Sequence, residues 1–430
     1  MYTFYNLLLW MFCLAALPWL LAKLTSSGKN RRLFAQKLGF IPQEVLAKMK
    51  GEPRIWVHAV SGGEVSAIHP LIRQLREVYP EACLMLSTGT ESGKKIASER
   101  ALEATAIFFF PLDLPFVVRR VIRRVRPDLF ILAETELWPN FLRIVKEKGA
   151  KTMLANGRIS GRSFDRYRKT RFFWMAVLEY LDAMSMIRVQ DGERIIAMGA
   201  NPVKVLVNGN CKFDQAAFSA EPAFREEMKK LLEVDEQDLL LIAGSTHEGE
   251  EEAVLQAFLE IRRRYPEMIL VLVPRHVERV PRVERLLSKY GIHDFVRRSQ
   301  IEAGGRRGKP VVLWDTFGEL FKVYSAGTVV FCGASLVPKR GQNILEAAAW
   351  GKVVLYGPSM EDFLDAHQLL QSVGAGIMVR NAAELAERCL DLLDHPQELT
   401  ARGAAGREAL LAERGASRKN LDLARRLMEK

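Results

Sequence analysis

The stretch "RIWVHAVSGGEVSAIHPLIRQLREVYP", residues 54–80, decides the fold. Its opening, "RIWVHAV", is short and apolar and reads as a buried strand. Its close, "IHPLIRQLREVYP", spaces apolar residues as an amphipathic helix does. Between them lies a glycine-rich turn carrying Glu64. Strand, turn and helix make one βα unit, and the free N–H groups of a helix start usually gather anionic ligands. A carboxylate at that place has two readings. It complements the positive end of the helix dipole, or it is a catalytic base.

The same alternation continues on both sides. "ACLMLST", "AIFFFPL", "LFILAE" and "KTMLANG" are further apolar runs, separated by "ESGKKIASER" and "LPFVVRRVIRRVR", which have helical spacing. Continuous apolar strands between helices mean a parallel sheet covered on both faces. A second series follows residue 205: "LLLIAGS", "MILVLVPR", "PVVLWD", "TVVFCG", "KVVLYG" and "AGIMV". The expected architecture is α/β, with two Rossmann-like doubly wound domains facing a cleft. The expected divisions are residues 1–22, 23–207, 208–395 and a helical segment 396–430.

With 430 residues the chain is long enough for two or three cores. Its net charge of +11 favours an anionic partner such as nucleic acid, membrane lipid or a phosphorylated substrate. Five scattered cysteines, with no CxxC pair, argue against a disulfide framework or a zinc site. Residues 1–22, "MYTFYNLLLWMFCLAALPWLLA", hold no charged side chain and are long enough to span a bilayer as a helix. Lys23, Lys29, Arg31, Arg32 and Lys37 follow, which would keep the rest of the chain in the cytoplasm. Tyr5, Trp10 and Trp19 are placed for interfacial depth. A spanning anchor, a helix lying on the bilayer and a buried helix of the first domain are the alternatives. A pure tether predicts that deleting 1–22 harms function at a membrane far more than function in detergent.

Ligands of open α/β sheets bind beyond the carboxyl ends of strands. Polar motifs stand at those places: "AETELWPN" (133–140), "GSTHEGEE" (244–251), "PRH" (274–276), "DTFGEL" (315–320) and "GASLVPKRGQNILEAAAWG" (333–351). Glu134 ends its strand. Glu136 reads as the cap of the helix that follows. Gly333 and Gly341 permit close backbone approach. Asn343 and Glu346 open a helical run whose N–H groups suit phosphate, and Arg275 suits two-pronged phosphate pairing. Lys212 lies at the junction of the two series. His247-Glu248 is half a zincin motif only, since Glu251 stands where the second histidine belongs. "GTESGKK" lacks P-loop spacing, and no GxSxG is present.

"HAVSGGE", "ETELWPN", "ANGRISGRS", "CKFD", "STHEGEE", "PRH", "DTFGEL" and "NILEAA" together resemble the 3-deoxy-D-manno-octulosonic acid (Kdo) transferases of lipopolysaccharide synthesis, in the family's order and over nearly the whole chain. The resemblance implies a two-domain, GT-B-type inverting glycosyltransferase. It implies CMP-Kdo as donor and a lipid A precursor of lipid IVA type as acceptor, at the cytoplasmic face of the bacterial inner membrane. It makes Glu64 the proton acceptor and Glu134 and Lys212 transition-state stabilisers. Pro274, Arg275, Phe317, Gly318, Glu319, Asn343, Ile344, Leu345 and Glu346 match the CMP-contacting segments. Many members have Gly-Gly-His-Asn where this chain has Arg340-Gly341-Gln342-Asn343, so Gln342 must replace a histidine's hydrogen bond, and Arg340 adds charge near the expected phosphate.

No cofactor or metal is expected. The turn's N–H groups are expected to help keep Glu64 charged. Arg158, Arg162 and Ser163 are acceptor-side candidates. Arg119, Arg120, Arg123, Arg124 and Arg126, with Arg166, Arg168, Lys169 and Arg171, would face phosphates and anionic inner-membrane lipids. The rival readings are another sugar-nucleotide enzyme of the same fold, such as a lipid A disaccharide synthase or epimerase, and a non-catalytic basic module binding membrane or nucleic acid. The latter leaves the strand-end acids unexplained and lacks a nucleic-acid domain signature.

Overall fold

The computed structural model describes residues 2–26, 28–218, 220–302 and 308–429. The chain forms two compact units. The first comprises Met1–Gln215 and Glu413–Lys430, the second Ala216–Ala412.

Unit 1 is built on seven parallel strands: β1 (Arg54–His58), β2 (Cys83–Thr88), β3 (Ala106–Phe109), β4 (Leu129–Ala133), β5 (Lys151–Gly157), β6 (Ala183–Met186) and β7 (Val205–Val207). Their order is β3-β2-β1-β4-β5-β6-β7. Chain order therefore reverses between β1 and β4, which pair from Ile55 with Leu129 to His58 with Leu132. Such a switch point leaves a crevice at the carboxyl ends of the two strands, because the helices after them leave in opposite directions. One sheet face packs Trp56 among Phe108, Phe110, Phe130 and Phe141. The other packs Ile55, Val57 and Ile131 against the helix Gly62–Val78.

Unit 2 repeats the plan with β8 (Leu240–Thr246), β9 (Ile269–Pro274), β10 (Phe295–Arg297), β11 (Val311–Leu313), β12 (Val329–Cys332), β13 (Val354–Tyr356) and β14 (Gly376–Met378). The order β10-β11-β9-β8-β12-β13-β14 puts its switch point between β8 and β12. Gly333 is required there. A Cβ on it would stand 2.6 Å from the Ser245 carbonyl oxygen, so the two strand ends could not lie so close with any other residue.

The terminal stretch 396–430, expected as one helical segment, is two helices in different units. Pro396–Ala412 belongs to unit 2, while Ala416–Met428 packs on the helix Gly62–Val78 of unit 1. Asp214 fixes the start of the last helix, its buried carboxylate accepting the N–H groups of Gly415 (2.7 Å) and Ser417 (2.6 Å). This contact places the observed division after Gln215, whereas 207/208 was expected.

The apolar N-terminus is a helix, Tyr2–Ser26. Among the described residues no helix is long and apolar enough to cross a membrane, which removes support for a spanning anchor. The helix also packs against the rest of unit 1 through its inner face. Tyr2, Tyr5, Asn6, Leu9 and Cys13 share one side and are partly buried. Tyr5 donates to Asp113 Oδ2 at 2.9 Å and Asn6 Oδ1 accepts from Asn140 Nδ2 at 2.7 Å. Tyr5 is thus a polar anchor within unit 1. The side chains of Trp19, Lys23 and Lys29 lie outside the described residues. All five cysteines are free thiols.

Candidate active site

Glu64 occupies the third position of the helix Gly62–Val78. Ser61 caps that helix: its Oγ accepts the Glu64 N–H at 3.3 Å and donates back to Glu64 Oε1 at 2.9 Å, while the Val60 N–H reaches Oε2 at 2.8 Å. This is a variant of a capping box, in which the acid takes the N–H of the residue before the cap and the cap's hydroxyl, so the structural role of the acid is fulfilled. It does not exhaust the residue. Burial, and then repulsion from Glu134, push the carboxyl from 4.5 up to about 7, against the pull of these hydrogen bonds. The help expected from the turn is present, since the Val60 N–H and the Ser61 hydroxyl both favour the charged form, but they are outweighed.

Glu134 follows β4 in left-handed backbone (φ +55°), a conformation strained for a glutamate. Its N–H donates to Ala155 O at 3.0 Å, and its Oε1 stands 3.7 Å from Lys212 Nζ. The "CKFD" segment explains the lysine's placement. Cys211, Phe213 and Asp214 are buried, leaving Lys212 half-exposed on the other side. The Cys211 N–H donates to Asn156 Oδ1 at 2.8 Å, and Asn156, buried at the end of β5, is itself left-handed (φ +55°). Strand ends from β1, β4 and β5 thus bring Glu64, Glu134 and Lys212 together. Glu136 joins them, its carboxyl raised by burial and by Glu134. It does not cap the helix Pro139–Glu147 as expected. Asp113, from a distant loop, does so by accepting the N–H groups of Asn140 (3.0 Å) and Phe141 (2.7 Å).

In unit 2 the switch point is filled by Glu250, a fully buried carboxylate that sequence reasoning missed. It accepts four backbone N–H groups, from His247 (2.9 Å), Ala334 (2.6 Å), Ser335 (2.9 Å) and Leu336 (2.8 Å). It fixes the loop after β12 beneath the exposed Arg275 at the end of β9, whose N–H is held by Thr246 O at 2.9 Å. His247 stands edge-on to His276, ring centroids 5.6 Å apart. Burial, followed by the positive fields of His276, Lys339, Arg275 and Arg279, holds His247 down at about 4. Arg275, His276 and Lys339 suit this rim to an anionic ligand, while Arg279 is paired with Glu248 and Glu251.

The description "3-Deoxy-D-manno-octulosonic-acid transferase (kdotransferase)" belongs to the family model that matches residues 32–215. A 3-deoxy-D-manno-octulosonic acid transferase of Haemophilus influenzae is 33% identical over 409 residues, covering 94% of this chain and 93% of that protein. The chain belongs to the Kdo transferase family. A further Kdo transferase, from Chlamydophila psittaci, is 29% identical and covers 90% of this chain and 88% of its own length. Among solved structures, the UDP-GlcNAc 2-epimerase of Neisseria meningitidis bound to UDP-GlcNAc superimposes with a TM-score of 0.59 at 12% identity, covering 86% of this chain and 98% of that one, which shows a shared fold.

The remaining positions of this Kdo transferase divide by their partners. Pro274 is buried at the end of β9, and Phe317 is exposed beside Gly318 (φ +94°). Glu319 is committed within unit 2, to Arg298 at 3.0 Å, Trp314 Nε1 at 3.1 Å and the Thr316 hydroxyl. Ile344 and Leu345 point into the core, so only their backbone can meet a ligand. The helix expected over "ILEAAAW" is four residues long, Leu345–Ala348, and Asn343 Oδ1 takes the Leu345 N–H at 3.3 Å. Glu346 lies 3.4 Å from Asn343 Nδ2. Arg340 is neutralised by Asp362 in a two-pronged pair (3.0 and 2.8 Å), so it does not add the free charge expected beside a phosphate. Gln342 is half-buried in the same loop. Arg158 is tied to the "ETELW" loop through its backbone, which exchanges hydrogen bonds with the Thr135 hydroxyl. Ser163 bonds the capping Ser160 (Oγ–Oγ 3.0 Å), and the side chain of Arg162 lies outside the described residues.

Proposed function

We propose that this transferase moves Kdo from CMP-Kdo to a lipid A precursor of lipid IVA type, by direct displacement with inversion. The observation that carries the reading is a half-buried carboxyl at the β1–β4 switch point, poised at about 7 beside the Glu134–Lys212 pair. A sugar hydroxyl attacks poorly until its proton is withdrawn, and a base works best with a pKa near the working pH. Glu64 takes the acceptor proton as the acceptor oxygen bonds to the anomeric C2. The C2–O bond to phosphate breaks, and CMP leaves with the electron pair. Arg275 and the cationic rim of unit 2 neutralise that phosphate, while Lys212 and Glu134 steady the charge that develops at the sugar.

The acceptor's acyl chains stay in the bilayer, since each CH₂ drawn into water costs about 0.8 kcal/mol. The reading therefore places the enzyme at the cytoplasmic face of the inner membrane. Supporting it, Phe4, Leu7, Leu8, Met11, Phe12 and Leu14 are exposed on the outer face of the N-terminal helix. Trp10 stacks on Phe116 of the helix Pro115–Val125, which presents Arg119, Arg123 and Arg124 to solvent. An apolar face beside a cationic one suits an anionic lipid surface.

The deciding experiment replaces Glu64 by Gln. Transfer from CMP-Kdo to detergent-dispersed acceptor should vanish while CMP affinity, measured by calorimetry, stays within about twofold. Turnover near that of the unmodified enzyme rejects the base assignment.

A further inference from the structure

The N-terminal helix buries its polar face and exposes its apolar one. Tyr2, Tyr5 and Asn6 turn inward, and Phe4, Leu7, Leu8 and Met11 turn out. A helix that served only as a tether has no need of inward hydrogen bonds to a particular loop. Here they converge on two buried groups. Asp113, 4% exposed, receives the Tyr5 hydroxyl on Oδ2, and the same carboxylate caps the helix Pro139–Glu147 through the Asn140 and Phe141 N–H groups. Asn140, fully buried, gives its Nδ2 to Asn6 Oδ1 (2.7 Å) and to Asp113 O (2.7 Å). The Tyr2 hydroxyl adds a longer contact to Pro139 O at 3.4 Å.

What these contacts hold is the end of the "ETELWPN" loop. Only Thr135 to Trp138 separate Pro139 from Glu134, whose left-handed backbone is strained and must be imposed by its surroundings. At the other end of the loop, the Glu134 N–H is fixed to β5. The loop is thus pinned at one end by the sheet and at the other by the cap to which the N-terminal helix contributes.

We infer that the N-terminal helix is a positioning element of the active site: Tyr5 and Asn6, acting through Asp113 and Asn140, set where the 134–138 loop holds Glu134 against Lys212 and Glu64. Neither residue touches substrate. The inference rests on the catalytic reading of Glu64 and Glu134, and it differs from a tether in one respect. The helix matters to chemistry even when no membrane is present.

The test uses full-length Tyr5→Phe, which keeps the ring packed against Phe173 (centroids 5.6 Å) and removes only the hydroxyl, and full-length Asn6→Ala. Both are assayed with detergent-dispersed acceptor beside the unmodified enzyme and Glu64→Gln. Displacing a reacting group by about 1 Å costs up to about 100-fold, so kcat should fall about 10- to 100-fold. The KM for CMP-Kdo should be unchanged, and the acid midpoint of the pH profile should move because the Glu134 charge has moved relative to Glu64. Unaltered kcat in both variants overturns the inference. A loss of kcat that tracks a lowered unfolding midpoint, with the pH midpoint unmoved, also overturns it, since that is loss of fold alone. Glu64→Gln separates the two levels. If it retains turnover the catalytic reading fails, whereas if it is dead and Tyr5→Phe is unimpaired only the positioning role fails.

Discussion

Replacing Glu134 by Gln removes one negative charge from the neighbourhood of Glu64 while keeping the side chain's shape. The Glu64 carboxyl stands at about 7 in place of 4.5, with burial the larger cause and Glu134 the next. A neighbouring unit charge typically moves a carboxyl by about one pH unit or more, which is about 1.4 kcal/mol per unit. Removing the repulsion should therefore bring the midpoint down to about 6, with burial keeping it above 4.5. Lys212 strengthens the direction, because the cation left by Glu134 then favours ionised Glu64. A base must be ionised to act, so the acid limb of kcat/KM should shift to lower pH even as its plateau falls through loss of a stabilising charge. The assay is CMP release at saturating donor and subsaturating acceptor, which reads kcat/KM for the acceptor, from about pH 5 to pH 9. A midpoint that stays at about 7, or rises, refutes the claim that these two carboxylates repel each other across the switch point.

Glu250→Ala strips the acceptor from four backbone N–H groups, and chemical unfolding of the full chain should show a loss of about 3–5 kcal/mol, with Glu250→Gln milder. Burial holds His58 at about 3 in the folded chain, against 6.5 ordinarily, so the unfolded chain binds its proton first as pH falls. Stability should decline from below pH 6.5 towards 3, and His58→Phe should flatten that slope in acid unfolding curves. Arg340→Ala breaks an exposed pair with Asp362 and should change stability by less than about 1 kcal/mol and CMP affinity hardly at all, as read by thermal unfolding and calorimetry.

How much of this was legible depends on distance along the chain. The βα unit at 54–80 declares itself because strand, cap and helix are local. The Ser61-Gly-Gly-Glu64 spacing of a capping box was there to be read as well. The clustering of Glu64, Glu134 and Lys212 was legible only through resemblance, since Lys212 is placed by Asn156, more than fifty residues away. Glu136 looked like a helix cap by adjacency, but Asp113 supplies that cap from a loop that sequence order does not bring near. Among the neighbouring acids Glu248, Glu250 and Glu251, nothing in composition distinguishes the one that folds a loop around itself. Partners sort them: exposed Glu248 and buried Glu251 both pair with Arg279, while Glu250 is enclosed by backbone N–H groups. The helix after Asn343 was overestimated because "ILEAAAW" has strong helical propensity, yet its chain turns away after Ala348.

The last helix, Ala416–Met428, lends Leu421, Leu423 and Ala424 to the same core as the helix Gly62–Val78 that carries Glu64. Unit 1 is therefore split along the chain, with its last helix made only after unit 2. Residues 216–412 must all be synthesised between its two portions, which takes on the order of 10–40 s at about 5–20 residues per second. Through that interval the nascent unit carries an uncovered apolar groove along the very helix that bears the base. Its completion waits on synthesis of the other unit, and a chain stopped within 216–412 lacks the helix that covers this groove.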